Sequence, residues 1–217
     1  MFKYITKEAI NVTDLLSSVM GTLILLGTAS FMIVITLLMS TSEFMRQKRA
    51  TPRAMIGIVL GMLAIYGTAM GTKLADGTII NVRELAAMIA GLTGGPIAGL
   101  LAGIIGGVHR YTLGGTTALP CTISTVLIGI IAGLVALYSS RKLNLAKVAV
   151  LGLVLESGAM GAILLLVQPL DAAVNIVSQI AFPMITANTI GLVLWAYLFN
   201  KLDSGRAVRS QSKTDGA

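Results

Sequence analysis

One cysteine and one histidine, Cys121 and His109, stand among 217 residues. They exclude an internal disulfide, a Cys-based zinc cage and a His-rich metal site. Charge is equally scarce: 12% of residues are charged, against roughly 25% in ordinary soluble domains. A soluble fold of this size would lack the polar surface to cover its core. No nucleophile–base pair, metal-ligand cluster or phosphate loop is present, so no catalytic residue is assigned and no metal or cofactor is expected. The chain shows no alternating strand pattern and no soluble domain. The 16 Lys+Arg exceed the 9 Asp+Glu, but they sit in short clusters between apolar runs and without a recognition motif. That arrangement argues against nucleic acid and matches cytoplasmic loops.

What is abundant is apolar. Hydrophobic residues make up 55% of the chain, with 24 glycines, and mean hydropathy is +0.88. The expected fold is an all-α polytopic membrane protein of five to six transmembrane helices, with a Gly-rich broken or re-entrant helix over 84–108. A polar N-terminus (1–14) precedes one bundle (15–200), and a disordered basic tail (201–217) follows. The lipid bilayer is its first partner. A multi-pass place in the plasma membrane with a cytoplasmic C-terminus follows from the charge pattern.

The apolar runs are Leu15–Met39, Ala54–Thr72, Glu84–Val108, Cys121–Tyr138, Ala146–Val167 and Pro183–Phe199, with 171–181 as an amphipathic link after the Gln168-Pro169 break. The first, about 25 residues, is long enough for a tilted span and too long for a signal-peptide core. Glu84–Val108 differs from the rest: glycines recur at Gly91, Gly95, Gly99, Gly103 and Gly107, and Gly94-Gly95-Pro96 interrupts the middle. Two readings compete, a kinked single span or a hairpin that dips into the membrane and returns. Counting basic residues puts 11 of 16 inside in either topology. The six-span arrangement exports the Arg46/Lys48/Arg49/Arg53 cluster, which the positive-inside rule disfavours. Arg83 and Arg110 would stand about 40 Å apart on a continuous helix; a hairpin returns them to one face. The glycine ladder would then let the two short arms pack closely.

Several motifs follow one another in order: Asn81-Val82-Arg83-Glu84, Ala90-Gly91-Leu92-Thr93-Gly94-Gly95-Pro96, Gly107-Val108-His109-Arg110-Tyr111-Thr112-Leu113-Gly114-Gly115 and Cys121-Thr122-Ile123-Ser124-Thr125. Gln168-Pro169 ahead of Asp171-Ala172, and Pro183-Met184 ahead of Asn188-Thr189-Ile190-Gly191, extend the series. From about Leu15 to Phe199 the chain closely resembles the LytS-type five-transmembrane sensor domain (5TMR-LYT family) found on bacterial histidine kinases and some diguanylate cyclases. The resemblance implies a receptor that binds a small extracellular metabolite and signals across the membrane. One branch of that family senses pyruvate through two arginines, a cysteine and a serine, and these positions match Arg83, Arg110, Cys121 and Ser124. The family is also distantly similar to the substrate-binding components of vitamin transporters. Only a short tail follows Phe199 here, so the expectation is a receptor with no kinase domain on this chain.

The chemistry fits a small carboxylate. A guanidinium fork donates two charge-assisted hydrogen bonds to it. Cys121 and Ser124 share a helix face just after Pro120, where free N–H groups favour an anion. Glu84 offsets part of the arginine charge, His109 is a candidate for pH tuning or an interface filler, and Asn81 is a candidate cap for the helix beginning near Arg83. Glu156 is the one carboxylate deep in a span, with Asn188 as its candidate partner. Ser124 has a plainer role open to it, bonding its own backbone, and Cys121 one as a small packing residue. Further partners would be a separate kinase or other signalling protein, and a second copy in a homodimer. The alternative function is transport, as a small uptake protein or a transporter's substrate-binding component, because broken helices meeting near the midplane are a transporter feature.

Overall fold

A computed structural model describes residues 12–40, 50–74, 77–138 and 143–214, with side chains placed for 23–38, 51–74, 77–138 and 143–205. The 1–11 segment, Arg46, Lys48, Arg49, Asp76, Arg141 and Lys142 lie outside the described residues. Six helices follow one another: α1 (Val12–Ser40), α2 (Ala50–Ala69), α3 (Arg83–Thr112), α4 (Ala118–Tyr138), α5 (Leu145–Leu166) and α6 (Leu170–Thr214). Their side chains are distributed as a membrane requires. Leu165 and Phe182 are 79% exposed on the outside, while Arg83 and Arg110 are completely buried. In lipid the apolar faces are the solvated ones, and backbone polar groups must be satisfied within each helix.

The glycine-rich helix is a hairpin. Gly95 has φ 79° and ψ −169°, a backbone state that essentially only glycine adopts, and it divides α3 into two arms. Pro96, lacking an N–H, opens the second arm where that donor would be unused anyway. The arms, 83–94 and 96–112, are about 18 and 25 Å long, each short of the roughly 30 Å hydrocarbon core. Three contacts show that the second arm runs back beside the first. A Cβ on Gly106 would lie 3.4 Å from the Arg83 side chain, and one on Gly99 would lie 3.1 Å from Gly91 Cα. A Cβ on Gly115, just past α3, would lie 2.7 Å from the Gly77 carbonyl in the loop before it. Both ends of the hairpin therefore emerge on one face of the bundle. Among the described residues, α2, α3, α4, α5 and α6 have the length and hydropathy to cross a membrane; α3 uses that length to fold back at Gly95, and α1 runs 29 residues.

The first arm is the centre of the bundle, buried without interruption from Arg83 to Gly91. The glycine ladder serves a partner different from the one expected. Apart from the Gly91–Gly99 approach, it mainly seats α4. A Cβ on Gly91 would stand 2.5 Å from the Gly129 carbonyl, one on Gly103 2.7 Å from Val126 Cα, and one on Gly133 of α4 2.5 Å from Pro96 Cα. α2 closes the other side, where a Cβ on Gly57 would meet the Ala98 carbonyl at 2.8 Å.

Three other expectations change. The loop before α3 holds a two-residue antiparallel pair, β1 (Thr72–Lys73) with β2 (Ile79–Ile80), too short for any alternation to announce. The amphipathic link and last span are one helix, α6, with Pro183 inside it; membrane helices tolerate such a proline because neighbouring groups satisfy the freed carbonyl. The stretch expected to be a disordered tail continues as helix to Thr214. It contains no proline, and basic residues near a helix C-terminus favour the dipole. Asn200 fastens this helix to the start of α5, accepting from Leu143 N (3.0 Å) and donating to its carbonyl (2.7 Å).

Adding one methyl group tests the backbone packing. Gly129→Ala has no space beside Gly99 and should cost about 1–3 kcal/mol, read as a lower melting temperature in detergent. Gly158→Ala, with nothing within 4 Å, should leave melting unchanged or slightly raised. Equal melting of the two variants would contradict this packing.

Candidate ligand-binding site

The fold-back and the start of α4 bring four of the expected residues together. Asn81 sits two residues before the first turn of α3 and accepts from Arg83 N at 2.9 Å, while its amide donates to the Ile79 carbonyl at 2.8 Å. It lies just outside the helix, whose N-cap residue is Val82 without a side-chain cap bond, and steadies the turn into Arg83. Arg83 then points across the hairpin toward α4. Its Nε donates to Thr125 Oγ1 at 2.8 Å, and its Nη2 pairs with Glu84 Oε1 in a buried ion pair. The Thr125 hydroxyl, which donates to the Cys121 carbonyl at 2.7 Å, lies 3.3 Å from the same Glu84 oxygen.

Arg110 arrives from the end of the second arm. Its Nη1 donates to the Gly114 carbonyl at 2.6 Å and its Nη2 to Thr117 Oγ1 at 2.9 Å. The Gly114-Gly115 turn, with both glycines at positive φ, curls that carbonyl back toward the guanidinium. Cys121 is buried and close enough for its side chain to interact with both arginines, and Arg110 feels the charge of Arg83.

Each guanidinium keeps one buried nitrogen without a hydrogen-bond partner, Nη1 on Arg83 and Nε on Arg110. Two guanidiniums and one carboxylate bonded to Arg83, Glu84, stand around Cys121, with Glu156 close by on α5. Such a group of polar atoms is costly in an apolar bundle unless a guest completes it.

The other expected residues stand differently. Ser124 is buried and donates to the Cys121 carbonyl at 3.1 Å, the plainer of its two roles. His109 is half-buried, with a buried Nδ1 that has no partner. Glu156 and Asn188 are fully buried side by side on α5 and α6, with Glu156 near enough to Glu84 and Arg83 to feel both charges. Thr125 and Thr117, which hold the two guanidiniums, escaped the sequence reading. The available signal was spacing: Thr125 follows Cys121 by four and so shares its helix face.

The family model described as 5TMR of 5TMR-LYT matches residues 37–202. The chain belongs to the 5TMR-LYT family. Among its relatives, the sensor histidine kinase BtsS of Escherichia coli (strain K12) is 36% identical over 175 residues, covering 76% of this chain and 31% of that protein. Sensor protein LytS of Bacillus anthracis is 44% identical over 121 residues, 54% of this chain and 20% of LytS. Sensor histidine kinase/phosphatase LytS of Staphylococcus aureus (strain Mu50 / ATCC 700699) is 35% identical over 123 residues, covering 55% and 21% respectively. The 5TMR-LYT chain thus spans less than a third of the length of these kinases, and its similarity lies in their membrane sensor region. No solved structure matches.

The buried ion pair is the most fragile element of this 5TMR-LYT site. Glu84→Ala removes the carboxylate bonded to Arg83 and should cost about 3–5 kcal/mol; Glu84→Gln, which keeps an acceptor, should cost less. Thermal melting of both purified variants checks this, and unchanged melting of Glu84→Ala would show that Arg83 does not depend on the pair.

Proposed function

We propose that this chain is a membrane sensor module that binds a small extracellular carboxylate, pyruvate or a close analogue, between Arg83 and Arg110. Binding would bias a signalling partner on the cytoplasmic side, a kinase or another signalling protein. The observation that carries this reading is the pair of unpartnered N–H donors, one per guanidinium, gathered around Cys121. A monocarboxylate supplies two acceptor oxygens and a charge opposite to the guanidiniums, so it matches the free donors. Membership in a family whose relatives are sensor histidine kinases supports the signalling half, and the resemblance to the pyruvate-sensing branch supports the ligand class.

The four positions implied by that resemblance divide by role. Arg83 and Arg110 grip the carboxylate, and Cys121 lines the space between them. Ser124, whose hydroxyl donates to the Cys121 carbonyl, keeps lone pairs on its hydroxyl oxygen and stands beside Cys121 as the fourth position. Signalling needs the ligand to bind one arrangement of the bundle more tightly than another. The two arms are joined in the chain through Gly95, and Arg110 is tied to the 114–117 turn, so closing the arginines on a carboxylate pulls on both ends of the hairpin together. The non-helical backbone at Gly95 is also a transporter feature, and uptake of labelled pyruvate into vesicles separates that second reading from sensing.

Melting in detergent tests the proposal. At a hundredfold excess over the dissociation constant a specific ligand stabilises by about 2.7 kcal/mol, so pyruvate should raise the melting temperature by several degrees. Arg110→Ala and Arg83→Lys should lose most of that rise, the latter because ammonium keeps the charge but not the fork. Absence of any shift across a panel of small carboxylates would discard this ligand class.

A further inference from the structure

A second set of buried polar side chains lies on α5 and α6. Glu156 and Asn188 are completely buried and Thr189 nearly so, at 8% exposure. Among the described residues, no partner at normal hydrogen-bond geometry reaches either oxygen of Glu156, either amide atom of Asn188, the Thr189 hydroxyl or Glu84 Oε2, although Glu156 and Asn188 lie close enough to interact with each other. Other span hydroxyls are satisfied locally: Thr28, Thr36 and Thr68 each donate to a carbonyl four residues back. Thr189 does not follow that habit, so its hydroxyl is free for something else.

Three helices converge on these atoms. A Cβ on Gly152, one turn before Glu156, would lie 3.2 Å from Thr189 Oγ1. A Cβ on Gly191 would lie 2.8 Å from the side chain of Leu85, the residue after Glu84. Glu156 itself interacts with the charges of Glu84 and Arg83. The group therefore borders the arginine site and faces it from the α5/α6 side. Six polar atoms without partners inside an apolar bundle are expensive one by one. Of the six, the Asn188 amide N–H and the Thr189 hydroxyl can donate to an oxygen of a small polar guest, while Asn188 Oδ1 and the carboxylate oxygens can accept from a guest hydroxyl.

We infer that Glu156, Asn188 and Thr189 form the second half of the binding site, which receives the uncharged oxygen function, oxo or hydroxyl, of a carboxylate held by Arg83 and Arg110. This rests on the arginine reading above and narrows it. The ligand class becomes small carboxylates bearing a second oxygen, and simple alkyl acids are excluded. It also makes Asn188 and Thr189 specificity residues carried by α6, so a bound ligand ties the hairpin directly to the helix that continues to Thr214.

Pyruvate, lactate and propionate share a carboxylate and nearly the same size, and differ in the second oxygen. Binding of each to the purified full chain is measured by calorimetry. The wild type should bind pyruvate or lactate tighter than propionate by about tenfold or more, since a buried hydrogen-bonding site rejects an analogue that leaves it unpaired. Which of the two binds better tells oxo from hydroxyl. Asn188→Leu should bring the affinities together to within about twofold while leaving propionate nearly unchanged. Thr189→Val, a smaller change, should reduce the ratio partway. A wild-type ratio retained in both variants would overturn the inference, as would a wild type that binds all three acids equally; in either case the arginine reading would stand. A wild type that binds none of them would overturn both.

Discussion

Burying two guanidinium groups side by side in a helical membrane bundle requires that every strong donor find an acceptor and that the like charges be offset. Much of this structure is explained by that demand. Glu84 stands next to Arg83 in sequence and pairs with it in space. Thr125, Thr117 and the Gly114 carbonyl take further donors. Three of these four partners belong to the segment that follows the second arm, 114–125, so the turn and the start of α4 are as much a part of the site as the arginines are.

The arginines meet only because the chain turns back at Gly95. That turn depends on glycine at the tip and on unusually close backbone approach around it. Gly91 against the Gly129 carbonyl, and Gly133 against Pro96, leave no room for side chains. Such contacts replace the hydrophobic effect, which does not drive helix association in lipid, with dispersion and close fit. The centre of the bundle is thus a buried helical arm that turns back at Gly95, clasped by its neighbours α2 and α4. On its far side, the unpartnered polar atoms of Glu156, Asn188 and Thr189 extend the polar interior from the hairpin toward α6.

Much of this was legible from residue pattern. The long apolar runs marked the spans, and Gly94-Gly95-Pro96 with the charge asymmetry of the loops pointed to the hairpin. Arg83, Arg110, Glu84 and Cys121 do come together. Other features were hidden for physical reasons. Thr125 and Thr117 look like ordinary helix hydroxyls until the hairpin sets guanidiniums against them. The ladder glycines show that something packs closely, but not that α4 rather than the opposite arm does most of it. Pro183 reads as the start of the last span from local chemistry alone, yet α6 runs continuously through it. The β1–β2 pair is too short to leave a periodic trace.

The claim on which the site depends is that both ends of the hairpin open on one side of the membrane. Lys73 and Thr116 are exposed on the two loops that flank it. In a Cys121→Ser background, single cysteines at these two positions are challenged with a membrane-impermeant thiol reagent in intact cells. Labelling of both from the same side is the predicted result. Labelling from opposite sides would mean a continuous spanning helix, with Arg83 and Arg110 too far apart to share a ligand.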